Sequence, residues 1–303
     1  MSATPLVSVI MPAYNAEKYI AEAMHSILNQ TYTNIELIVF DDGSSDQTRQ
    51  VINQLHDDRI IKVLSDQNRG VVYARNAMID LAKGKYIALM DADDISDPSR
   101  LEKQVNALEA GECDLCGSAH WSLNEDLNLR KKSKDKFSDA DLRALLAVYC
   151  SLCNSTVTAR AEMFKRFKYD TSILTSEDYY LWVQMAAAGY TFKNLKESLV
   201  TYRLYSAQTS SVHLEKFKLS TIEVQKRYLG LLGIPPELRP EPLPWHFRMG
   251  RAVTVLKALK THFPAMSYKA YYEIYARFQY RRSGIWTPFT RLERALIAGW
   301  MSL

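Results

Sequence analysis

The chain has 303 residues, 47% hydrophobic and 24% charged, which is ordinary for a globular protein and excludes a disordered polyelectrolyte. The formal net charge of +4 hides a split: residues 1–210 hold 23 basic and 28 acidic side chains, residues 211–303 hold 15 and 6. The longest near-apolar run, Ala144 to Cys153, is too short to span a bilayer, and MSATPLVSVIM lacks the basic start of a signal peptide, so a cytoplasmic protein is expected.

Val7–Met11, Ile35–Asp41, Ile60–Leu64 and Tyr86–Asp91 are short apolar runs, the pattern of strands buried on both faces of a parallel sheet. Helices are expected between them near 17–30, 46–55, 71–82 and 98–109, the last opened by Pro98 with Asp97 as cap. This alternation predicts an open, doubly wound α/β sheet, whose ligands bind beyond the carboxyl ends of its strands. After residue 120 the pattern loosens. NEDLNLRKKSKDKFSDAD reads as a solvated loop, residues 177–188 as a helix stopped by Gly189, and Phe192–Tyr202 as a strand.

From about residue 213 the chain reads as helices broken by IPPELRPEPLP. One, near 267–281, aligns Tyr268, Tyr271, Tyr272, Tyr275 and Phe278; another, opened by Thr287-Pro288, aligns Phe289, Leu292, Leu296 and Trp300. Such faces suit docking on the rest of the chain or on a second copy in a homo-oligomer. Their basic flanks also suit peripheral contact with an anionic membrane. No module for reading nucleic acid is present. Cys113-x-x-Cys116 and Cys150-x-x-Cys153 have zinc-like spacing but lie in apolar context, where free, buried or half-buried thiols are expected.

The chemistry collects at the predicted strand ends. YIALMDADD delivers Asp91, Asp93 and Asp94, which read either as a divalent-cation site completed by substrate phosphate or as an Asp-rich turn. FDDGSSDQT places Asp41 and Asp42 at the same edge, where a carboxylate could accept from a uracil N3–H; Gly43 permits the turn, and Ser44, Ser45 or Asp46 caps the next helix. MPAYN adds Pro12, Asn15 and the ring of Tyr14. Gly70 and Arg75-Asn76 open a helix toward that edge, and an arginine there can clamp a diphosphate. Ser176 reads as the N-cap of a helix whose first turn holds Glu177 and Asp178, carboxylates kept ionised by the macrodipole and able to act as a general base.

In this order, VSVIMPAYNAEKYIAEAMHSILNQTY, ELIVFDDGSSDQT, GVVYARNAMIDLAKGKYIALMDADD and SEDYYLWVQMAAAG resemble the family 2 glycosyltransferases of the GT-A fold over about residues 5–205. The resemblance implies a GT-A catalytic domain over 1–212, with a nucleotide-binding half (1–120) and an acceptor half (121–212), and a helical extension over 213–303. It implies Asp42 as the uracil-reading residue with Pro12 and Tyr14 beside the base. Asp93 becomes the principal ligand of Mg²⁺ or Mn²⁺, Asp91 a ribose or metal contact, and Arg75 the arginine near the donor phosphates. Asp178 becomes the catalytic base, supported by Glu177. The activity implied is inverting transfer of a sugar from a nucleotide-sugar donor, a UDP-sugar, to a glycan or lipid-linked acceptor in cell-surface polysaccharide or lipopolysaccharide synthesis.

One departure stands out. Where many members carry Y-R-x-H, this chain has Tyr202-Arg203-Leu204-Tyr205, and His213 follows too late to substitute. The alternatives are a non-catalytic sugar-nucleotide scaffold and a Mg²⁺-dependent phosphohydrolase using the D-x-D strand end. The missing G-x-G-x-x-G after the first strand excludes a nicotinamide oxidoreductase.

Overall fold

A computed structural model of the chain describes residues 4–133, 137–173, 175–205, 214–238 and 245–280. Four strands predicted from apolar runs form its parallel half: β1 (Val7–Ala13), β2 (Ile35–Asp42), β3 (Ile60–Ser65) and β4 (Tyr86–Leu89), in spatial order β3-β2-β1-β4. Alternate residues of a strand point to opposite faces, so β1 feeds two cores. Val7, Val9 and Met11 pack with Ile20, Met24 and Ile27 of α1 (Ile20–Leu28); Ile10 packs on the other side, with Val72, Met78 and Ile79 of α3 (Val71–Leu81). Helices α2 (Thr48–Gln54) and α4 (Arg100–Glu109) complete this half.

Beyond β4 the sheet changes direction. It continues through antiparallel β8 (Thr158–Arg160), then β6 (Leu115–Asn124), parallel β9 (Phe192–Leu204) and the two-residue β5 (Ile95–Ser96). This is a mixed α/β fold with a mostly parallel first half, as expected. The α6 helix (Ala161–Phe167) and α7 (Glu177–Ala187) cover the second half.

The structure corrects several local readings. The charged stretch is not a plain loop: Leu129–Lys132 form β7, a hairpin arm on β6, and Asp139–Leu145 form α5 behind a Ser138–Asp141 capping box. The hairpin closes because Asn124 Oδ1 accepts from the Leu127 amide and Asn128 tolerates a left-handed φ of 49°. Asp97 is not itself the cap of α4; it accepts from the amide and hydroxyl of Ser99, which holds that position. Ser176 precedes α7 but makes no capping bond; it sits at φ 61°, its hydroxyl 3.3 Å from that of Thr221.

The described extension comprises α8 (Leu214–Leu231), α9 (Trp245–His262) and α10 (Tyr268–Tyr280). Val224, Tyr228, Val255, Leu259, Tyr271 and Ile274 join the buried cluster that contains Tyr179 and Trp182 of α7. Gln225 donates to the Val148 carbonyl (2.6 Å) and Tyr228 to that of Arg143 (2.9 Å). The buried face of α10 carries Ala270, Tyr271, Ile274 and Tyr275, while Tyr268 is exposed and Tyr272 half-buried. That face is turned from the expected stripe of four tyrosines and Phe278 toward Ile274, which has no polar tip to keep wet. The Phe278 side chain, His213 and the Thr287–Trp300 helix lie outside the described residues.

All four cysteines are free, Cys113 and Cys116 buried, Cys150 and Cys153 half-buried. Among the described residues no three or more His, Cys, Asp or Glu side chains converge as a metal cage, and no helix is long and apolar enough to cross a membrane.

Candidate active site

The carboxyl ends of β1, β2 and β4 meet the N-terminus of α7 at one edge of the sheet. Arg75, on α3, joins the parts: its guanidinium pairs with Asp91 at 2.9 Å and with Glu177 at 2.6 Å. The arginine side chain is only 7% exposed and that of Glu177 11%, so both ion pairs are largely shielded from water. Burial opposes the Arg75 charge, yet Tyr169, Asp91, Glu177 and Asp178 around it raise its pKa above the ordinary arginine range. Arginine was expected to reach toward a ligand. It is instead locked between two acids that lie 86 positions apart in the chain, with the Tyr169 ring 5.3 Å beneath it.

Asp178 follows Glu177 on the first turn of α7. Burial, then the Glu177 charge, push its pKa up to about 7, while Arg75 works in the opposite direction. A carboxyl with this pKa is matched to proton transfer near neutrality.

Asp91 arrives occupied. Its oxygens accept from Arg75, from Asn154 Nδ2 (3.1 and 3.2 Å) and from Ser155 Oγ (2.8 Å). Asp93 is less encumbered: among the described residues its one side-chain hydrogen bond comes from Tyr205, which donates to Oδ2 at 2.9 Å. Burial and the neighbouring Asp91 raise the Asp93 pKa to about 6. Asp94 is fully buried, accepts from the Arg203 amide at 3.0 Å, and keeps its Oδ2 unpartnered; burial and the charges of Asp93 and Asp91 hold its pKa well above the usual range.

Raised pKa values and an orphaned buried oxygen mark a cluster with more negative charge than its protein partners neutralise. The donor set fits a hard divalent cation, which takes one or two carboxylates and completes its shell with water and phosphate oxygens. Asp93 is the accessible donor; Asp91 could join only by exchanging one of its present partners.

The opposite end of the edge suits a nucleobase. Tyr14 is half-exposed, and Pro12 precedes it on β1. Asp42 is buried and accepts from the amides of Arg69 (2.9 Å) and Gly70 (2.7 Å), which leaves further lone-pair positions on a carboxylate. Gly43 is required here. Its φ is 71°, and a Cβ would lie 2.6 Å from the Gln67 backbone. Asp41 is turned inward, to the Ser44 amide and Arg49, and Asp46 anchors Thr48 at the start of α2.

Sequence reasoning missed the supporting residues. Arg100 is fully buried on α4 and donates to the Leu89 carbonyl at 2.8 Å, bracing the strand just before Asp91; burial pushes its pKa down to about 10. Asn154 and Ser155 come from an unremarkable NST turn, and Tyr169 from a loop. A buried arginine in an apolar helix face was the one available signal. The 154–155 contacts depend on a chain crossing that local pattern does not encode.

Residues 8–168 match the sequence model of the glycosyl transferase family 2. The chain is 32% identical over 213 residues, 70% of its length and 82% of the relative, to the Escherichia coli UDP-Glc:alpha-D-GlcNAc-diphosphoundecaprenol beta-1,3-glucosyltransferase WfaP. Its fold is similar to Staphylococcus aureus TarS 1–349 in complex with UDP-GlcNAc (TM-score 0.60, 16% identity, 94% of this chain and 93% of that one). It is also similar to the Pyrobaculum calidifontis mannosyltransferase PcManGT in complex with GDP-Man and Mn²⁺ (TM-score 0.56, 17% identity, 99% and 86%).

Proposed function

The chain belongs to glycosyl transferase family 2, and we propose that it moves a sugar from a UDP-sugar to a hydroxyl of a glycan or lipid-linked acceptor, inverting the anomeric carbon. The observation that supports this most strongly is the Arg75 bridge, which ties Asp91 at the end of the β4 strand run to Glu177, the chain neighbour of Asp178.

In this reading Asp42 accepts from the uracil N3–H, with Pro12 and Tyr14 against the base. Asp93, with Asp91 as its neighbour, holds Mg²⁺ or Mn²⁺. The cation would supply Lewis-acid stabilisation of the departing diphosphate. Arg75 contributes fixed positive charge to the same region while holding Asp91 and Glu177 in place. Asp178 takes the proton of the acceptor hydroxyl as its oxygen attacks the anomeric carbon, the anomeric C–O bond breaks, and the nucleoside diphosphate leaves. Glu177 keeps the first turn of α7 anchored to Arg75. The two proteins of similar fold are in complex with UDP-GlcNAc and with GDP-Man, and WfaP is named for a diphosphoundecaprenol-linked acceptor. That acceptor class supports a cytoplasmic enzyme working at the inner membrane face.

A phosphohydrolase fits less well, because Asp91, the acid it would use as nucleophile, is bonded to three side chains. Sugar transfer is tested by UDP release from a panel of UDP-sugars with Mn²⁺ and diphosphoundecaprenol-linked acceptors. Binding of UDP without release from any donor would leave only a sugar-nucleotide scaffold.

A further inference from the structure

The hairpin formed by β6 and β7 has a composition that its fold does not require. Residues 126–132 are all exposed, with Leu127 at 65% and Leu129 at 61%. Arg130, Lys131 and Lys132 follow directly, and Asp126 is the only acid in the segment. The register pairs Trp121 with Lys132, Leu123 with Arg130, and Asn124 with Leu129. Arg130 and Lys132 therefore share a face with half-buried Trp121, their charges 4.5 and 5.8 Å from its ring centroid, while Leu129 and Lys131 lie on the other face. Lysines on an outer strand could simply discourage edge-to-edge pairing. That purpose does not account for two leucines held in water beside them.

We propose that this hairpin docks on an anionic lipid surface, Leu127 and Leu129 entering the interface and Arg130, Lys131 and Lys132 meeting headgroup phosphates. Charge complementarity selects that occupant: apolar tip, interfacial tryptophan and three consecutive cations are what a bilayer carrying negative headgroups binds. The placement is purposeful. Glu125, the first residue of the hairpin turn, is bonded to Lys18 and Tyr19 and paired with Arg203. Lys18, Tyr19 and Glu125, with Leu123, Asp126, Asn128 and Tyr205, line a cavity of about 590 Å³. Tyr205 in turn holds Asp93. Docking the tip would set the mouth of the Asp93 cleft at the lipid surface, where a lipid-linked hydroxyl lies. That purpose rests on the acceptor proposed above; the contact itself does not.

The test is flotation of the full chain with vesicles of phosphatidylglycerol and phosphatidylcholine, against phosphatidylcholine alone. Binding is expected only to the anionic vesicles. L127S/L129S and K131E/K132E should each lower the partition coefficient roughly tenfold or more, with melting temperature and the thermal shift produced by UDP and Mn²⁺ unchanged. Loss of the UDP shift in the wild type would count against the proposed function, not against docking. Hydrogen exchange provides a measurement without substitutions: amides of 123–132 should slow on anionic vesicles. Equal binding to neutral vesicles, no binding, unchanged exchange of 123–132, or variants that float like the wild type would each overturn the proposal.

Discussion

The Tyr205 hydroxyl donates a 2.9 Å hydrogen bond to Oδ2 of Asp93, at the position where many family relatives carry histidine. The tyrosine ring lies 5.2 Å from that of Tyr19, tilted by 39°, and burial together with the Asp93 charge raises the pKa of its phenol, so it stays a donor. A fixed donor on one carboxylate oxygen orients the other, the usual task of a group behind a metal ligand. Tyr205→Phe should raise the Mn²⁺ concentration for half-maximal turnover by about tenfold, and Tyr205→His should recover part of the loss. Unchanged metal titration in the phenylalanine variant would show that Asp93 needs no such support.

In the proposed mechanism Asp178 sets the pH response. Its carboxyl titrates at about 7, so the base form is lost as pH falls through that value. kcat/KM should decline below pH 7 with a slope of one proton. Asp178→Asn should reduce transfer about 10²–10⁴-fold, leaving UDP affinity within about twofold of wild type if the base does not touch the donor.

The same group weakens the fold at high pH. A folded pKa above the ordinary aspartate value of 3.8 means that the native state binds the extra proton, so stability present at low pH is lost as pH rises from about 4 to 7. Asp178→Asn should therefore raise the melting temperature at pH 8 by about 2–4 °C and have no such effect at pH 4. A lower melting temperature at pH 8 would contradict burial as the cause.

Arg75→Met leaves Asp91 and Glu177 facing each other without their shared cation. Removing one partner of a buried ion pair costs about 3–5 kcal/mol, and urea denaturation should show a loss of that order. Arg75→Lys should restore part of the stability and little of the turnover, since one ammonium cannot span both acids as the guanidinium fork does. A lysine variant with wild-type kcat would remove the bridge from the catalytic arrangement.

Gly43→Ala tests the nucleotide end. Its positive φ and the 2.6 Å approach to Gln67 force the 67–70 loop to shift, and that loop donates two amides to Asp42. A cost of about 1–3 kcal/mol in stability is expected, with weaker UDP binding measured by calorimetry.

The strands were legible because their pattern is local: Val7–Met11 and Ile35–Phe40 are apolar on both faces except at Ser8 and Glu36, as a doubly covered strand requires. The acids at the strand ends could be read for the same reason. What escaped was non-local. Asn154 and Ser155 matter only because β8 runs beside β4, and Arg75 proved a bridge rather than a free clamp because α7 places Glu177 opposite it. The hairpin at 129–132 hid behind its charge, which resembles a solvated loop in any one-dimensional reading.

Ser220 donates to the Thr175 carbonyl, and Thr221 lies against Ser176, both directly ahead of Glu177 and Asp178. The C-terminal helices thus form part of the seat on which Glu177 and Asp178 rest. For protein engineering, a chimera that grafts another relative's tail after residue 212 would replace that seat along with the tail. Exchanging residues 5–205 and 214–280 as one unit keeps it whole.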